Sequence, residues 1–189
     1  MKKIYAIYCT VTLSEKPAWF DAFRARYDRP HPLHITLKQM AYTEESELPK
    51  IKGILEDILD TLLVTQEKLV VIFDNFLLDE HDPDDGLGYM YIGASQRNPV
   101  LDDLQIAIRE RLNDYSDYYF KDSLSYEHDF KPHIALASGL DVQTFAAATK
   151  QLPKTVKCVG EVTAIVLSCV TEPTLVEANN PDNLISYKL

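Results

Sequence analysis

A chain of 189 residues with 46% hydrophobic, 25% charged and 10% aromatic residues has ordinary globular composition, which excludes a disordered or collagen-like chain and fits one compact folding unit. Nineteen basic against twenty-nine acidic residues give a formal charge of −10, so the field of the whole molecule repels polyanions and speaks against nonspecific binding to duplex nucleic acid. A phosphate-bearing substrate then requires a local basic pocket, and no stretch approaches the ~20 apolar residues of a membrane-spanning helix.

Lys2 and Lys3 ahead of Ile4 to Leu13 have the outline of a short signal peptide, but Thr10 and Thr12 dilute the apolar run. Its β-branched and aromatic residues predict instead a first strand, about Lys3 to Val11. Trp19, Phe23 and Tyr27 recur every four residues and predict an amphipathic helix from near Pro17. The turn Arg29-Pro30-His31-Pro32 leads into a second strand, Leu33 to Met40. Ile51, Ile54, Leu55, Ile58, Leu59 and Leu62 share one face of a second helix. Lys68 to Leu78 and Leu87 to Ala94 read as the two strands of a hairpin around the acidic loop Asp79 to Gly86.

Asn98-Pro99 supplies the cap and first-turn proline of a third helix, with Leu101, Leu104, Ile108 and Leu112 on its buried face. Tyr115 to Asp129 is polar and aromatic and reads as a loop, Phe130 to Ala137 as a strand, and Asp141 caps a short fourth helix. Strands near Lys157 to Val170 and Leu184 to Leu189 close the chain. Hairpin and short connections predict largely antiparallel sheets in an α+β fold, and no Gly- or Ser-rich linker divides residues 1–189 into separate domains. Cys9, Cys158 and Cys169 lack metal-type spacing and sit in apolar strand contexts, which fits reduced thiols and a cytoplasmic setting.

Two segments half a chain apart share one design: Pro32-Leu33-His34-Ile35-Thr36-Leu37 and Lys131-Pro132-His133-Ile134-Ala135-Leu136. Strand alternation puts His34, Thr36 and Lys38 on one face of the first, and Lys131, His133 and Ala135 on one face of the second. A neutral imidazole can take a proton from a nucleophile while a protonated one supplies the leaving oxygen, so two histidines suffice for phosphodiester cleavage without a metal or other cofactor. Thr36, Lys38 and Lys131 are the expected donors to the nonbridging oxygens. His31 and His34 lack companion carboxylates or cysteines for a metal site, and His81 and His128 read as loop residues. Tyr118, Tyr119, Phe120 and Tyr126 read as loop packing.

The paired motifs resemble the signature of the two-histidine (2H) phosphoesterase superfamily, which includes the RNA 2′,3′-cyclic phosphodiesterases known as 2′-5′ RNA ligases. That signature is two His-x-Thr/Ser-x motifs; the first is intact here and the second carries Ala135 in place of the hydroxyl residue. The resemblance spans nearly the whole chain and implies two α+β lobes related by a pseudo-twofold axis, with the motifs facing each other across a cleft. It further implies hydrolysis of a cyclic or 2′-5′ phosphodiester, with a small nucleotide or an RNA 2′,3′-cyclic phosphate end as substrate. Ala135 leaves open an impaired relative that only binds such ligands. Ser138 is out of phase with His133 on an ideal strand and is a poor substitute for the hydroxyl unless a bulge intervenes, so Lys131 or a backbone amide is the expected replacement.

Overall fold

The computed structural model describes residues 1–28, 31–62 and 68–189, so Arg29 and Pro30 of the expected turn lie outside the described residues. The chain opens with strand β1 (Lys2–Glu15), helix α1 (Phe20–Tyr27), strand β2 (His34–Glu44) and helix α2 (Leu48–Leu62). Strands β3 (Val70–Phe73), β4 (Asn75–Asp79) and β5 (Gly88–Gly93) precede helix α3 (Pro99–Arg111), strand β6 (Asp117–Tyr118) and helix α4 (Ser123–His128). Strand β7 (His133–Leu140), helix α5 (Val142–Thr149), strand β8 (Cys158–Val170), helix α6 (Leu175–Ala178) and strand β9 (Leu184–Lys188) complete the fold.

The strands form two antiparallel sheets, one in the order β3-β8-β1-β2-β6 with β9 also on β8, the other in the order β4-β5-β7. One continuous apolar core links them, running from Tyr5, Ile7 and Cys9 in the first sheet to Met90, Ile92, Ile134 and Leu136 in the second. Helix α1 buries Phe20, Phe23 and Tyr27 and packs on β7 of the second sheet, while α3 packs on β2 of the first. This exchange of helices ties the two halves together and brings β2 and β7 into contact. Among the described residues, no helix is long and apolar enough to cross a membrane.

The expected hairpin forms as β4 and β5, but the preceding run, Lys68 to Leu78, does not make one strand. It divides at Asp74, whose carboxylate accepts from the amide (3.0 Å) and hydroxyl (2.8 Å) of Ser95, so β3 joins the first sheet and β4 the second. Tyr115 to Asp129, expected as a loop, contains β6 and α4. Helix α4 exposes Leu124 and Tyr126 and is anchored through buried Glu127, so it carries no apolar periodicity. The third helix is as expected, with the Asn98 side chain accepting from the amide of Leu101 at its start.

Both motif strands depart from simple alternation in the same way. Tyr8 pairs with Thr36 and Ile7 with Lys38, leaving Leu37 as an extra residue on β2; Tyr91 pairs with Ala135 and Met90 with Ala137, leaving Leu136 as the extra residue on β7. A second bulge follows in each, between Lys38 and Ala41 and between Ala137 and Leu140. Gly139, at φ +67°, supplies the left-handed backbone at the second of these. The succession of buried and partly buried residues is identical from His34 to Ala41 and from His133 to Leu140. The two motif strands are thus related residue by residue over these segments.

Candidate active site

His34 and His133 are the first residues of β2 and β7, at matching places in the two halves. In each, Nδ1 lies against the carbonyl oxygen two residues back: Pro32 at 3.0 Å for His34, Lys131 at 2.8 Å for His133. A carbonyl can only accept, so Nδ1 carries the proton and Nε2 is left as the nitrogen that can exchange one. A tyrosine from the neighbouring strand packs on each ring, Tyr8 at 5.2 Å from His34 and Tyr91 at 4.6 Å from His133. Burial lowers the pKa of both imidazoles, His34 to about 4, with the charges of His31 and His133 pushing His34 in the same direction. Both rings are therefore mainly neutral at pH 7.

The two histidines open onto one cavity of about 460 Å³, together with Thr36 and Ala135. Thr36 also lines two adjoining cavities, one shared with His133 and one shared with His34. Ala135 is the ladder counterpart of Thr36, since each is paired with the tyrosine that packs on its histidine, and it presents a methyl group where Thr36 has a hydroxyl. The bulge at Leu136 turns Ser138 into the cavity, where its hydroxyl donates to Asp28 at 2.7 Å. Arg24 holds the other oxygen of that carboxylate through Nε at 2.9 Å.

Lys38 is not part of this cavity, contrary to the expectation from strand alternation. The bulge at Leu37 turns it into the core, where it is 0% exposed and pairs with Glu127 at 3.0 Å while donating to Ser116 and Tyr118. Burial presses the Lys38 pKa down, and the Glu127 charge opposes that shift. Lys131 does not line the shared cavity either; its exposed ammonium pairs with Asp129, and it borders neighbouring cavities, one of which also contains Thr36 and His133. Its contact with His133 is made by its carbonyl oxygen, not its charge.

Among the described residues the expected basic pocket is not formed. Asp28, Asp79, Asp82, Asp84 and Asp85 line the cavity, with Arg24 its one Lys or Arg among the described residues. Sequence reasoning weighed His31, whose ring lies 4.8 Å from that of His34, only as a metal ligand, and passed over the two tyrosines, whose equivalence shows only once Ile7-Tyr8-Cys9 is aligned with Met90-Tyr91-Ile92. Phe120 and Tyr126, read as loop packing, lie on the cavity wall. Among the described residues, no group of three or more His, Cys, Asp or Glu side chains is arranged to hold a metal ion.

The family model described as the 2′-5′ RNA ligase superfamily matches residues 12–168. No curated protein sequence matches the chain. Among solved structures, E. coli LigT complexed with 3′-AMP aligns with a TM-score of 0.54 at 13% identity, covering 100% of this chain and 96% of that one, a likeness of fold. A structure described as a phosphoesterase aligns at 0.49 and 14% identity, covering 100% and 94%.

Proposed function

The chain belongs to the 2′-5′ RNA ligase superfamily, a membership that supports phosphoesterase-type chemistry, and from that premise we propose that it is a metal-independent hydrolase of a cyclic or 2′-5′ nucleotide phosphodiester. The observation that carries the reading is the duplicated histidine: two imidazoles, each with Nδ1 held by a carbonyl and both opening onto one cavity. The nucleotide in the LigT structure of like fold, 3′-AMP, points the proposal toward nucleotide substrates.

One neutral imidazole takes a proton from water as the water oxygen bonds to phosphorus. The other, protonated, gives its proton to the ester oxygen as the P–O bond breaks, so the pair ends with its protonation states exchanged. Thr36 donates to a nonbridging oxygen and stabilises the charge that builds there. The whole chain acts as one catalytic unit, because each half supplies one imidazole.

The test is hydrolysis of 2′,3′-cyclic nucleotides by the purified protein in EDTA, with His34→Ala and His133→Ala beside it. Turnover that resists EDTA and falls by ~10²-fold or more in each variant supports the proposal. Loss in EDTA with rescue by Zn²⁺ or Mn²⁺ would replace it with a metal mechanism. The methyl group of Ala135 favours a second reading, a module that binds nucleotides without cleaving them; binding with no turnover of any cyclic phosphodiester would establish that one.

A further inference from the structure

The wall facing the histidine pair is acidic. Asp79, Asp82, Asp84 and Asp85 come from the loop between β4 and β5 and its leading edge, and all four line the cavity that holds His34 and His133. The loop is built to keep its shape: Asp82 accepts from the amide of Asp84 at 2.9 Å, Asp85 from the amide of Leu87 at 2.9 Å, and the Asp82 and Leu87 backbones are joined at 2.9 Å. Among the described residues none of the four carboxylates pairs with a Lys or Arg side chain. Arg24 cannot offset them, because it is already engaged with buried Asp28.

We propose that this wall limits the substrate to a small phosphodiester with a single phosphate and excludes a polyanionic RNA strand. The inference rests on the phosphoesterase reading and names the substrate class of that site. The phosphate under attack is met by the imidazoles and the Thr36 hydroxyl, but any further phosphate on the His133 side is set against carboxylates inside a partly enclosed cavity. Charge repulsion is strong there, because water screens it less than at an open surface. The part of the substrate that meets the wall is rich in hydrogen-bond donors or carries positive charge, and Tyr126, half exposed on the same cavity, is an aromatic neighbour for a base or a cation.

A ladder of charge on one scaffold tests this: adenosine 2′,3′-cyclic phosphate, the same compound with a 5′-phosphate, and a short oligoribonucleotide ending in a 2′,3′-cyclic phosphate. At low salt kcat/KM is expected to fall at least about tenfold at the first step and further at the second, with the gap narrowing as salt rises. In Asp82→Asn/Asp84→Asn the ratio between the first two substrates should narrow severalfold, since asparagine keeps the loop's acceptors and removes its charge. Equal or better turnover of the 5′-phosphorylated compound or the oligonucleotide, or a ratio unmoved in the variant, overturns the proposal. Calorimetric titration with the same three ligands, of the wild type where nothing is hydrolysed and of His34→Asn where turnover intervenes, separates it from the hydrolase reading. If none is hydrolysed by wild type but the affinities keep the predicted order and respond to Asp82→Asn/Asp84→Asn, the enzyme assignment falls and the wall stands. If none binds, the wall falls as well.

Discussion

Each histidine has Nδ1 committed to a carbonyl and a pKa pressed below the ordinary value of about 6.5 by burial, to about 4 for His34. The free protein at pH 7 therefore holds too few protons for a pair that needs one. Lowering the pH fills the singly protonated state until a second proton binds and removes the base. The kcat/KM profile for a cyclic nucleotide is thus expected to be a bell centred on the acid side of about 6.5; an optimum at pH 8 or above would remove these rings from the acid–base role. Two residues beyond His133 on β7, Ala135→Thr restores a hydroxyl at the counterpart of Thr36, and turnover should rise by up to ~10²-fold. An unchanged rate would assign the donor role to another group, with Ser138 the first to examine.

Helix α4 is fastened to β2 through the buried carboxylate of Glu127. Glu127 accepts from Lys38 at 3.0 Å, from the Gln39 amide at 2.7 Å and from the Tyr118 hydroxyl at 2.8 Å. Lys38→Met leaves that buried carboxylate without its cation and is expected to cost about 3–5 kcal/mol in urea unfolding. Adding Glu127→Gln should recover a good part of the loss, and no recovery would mean the ammonium acts by packing alone. This anchoring explains which elements could be read from the sequence. Helix α3 announces itself by cap, proline and apolar stripe, whereas α4 has a single buried charge that only a distant partner explains. Strand alternation put His34 with Thr36 and His133 with Ala135, but it misplaced Lys38, because a rule of period two has no means of marking an extra residue.

At the scale of the whole molecule, the hairpin and short connections made an α+β fold legible, and the two-lobed arrangement followed from the family that the paired Pro/His segments resemble. A net charge of −10 was equally plain, but not its distribution, since the loop that brings four carboxylates to the cavity is remote in sequence from both histidines. The matched bulges bear on how such a chain can change. A bulge is a property of how many residues lie between two fixed points, so amino-acid replacements at Leu37 or Leu136 alter packing and leave the count intact. Deleting a single residue there shifts every later side chain of the strand to the opposite face, expelling Ser138 from the cavity in one half or releasing Lys38 from Glu127 in the other. The motif strands can therefore drift in spelling while remaining locked in length, and insertions or deletions are expected to be tolerated only in the loops between them.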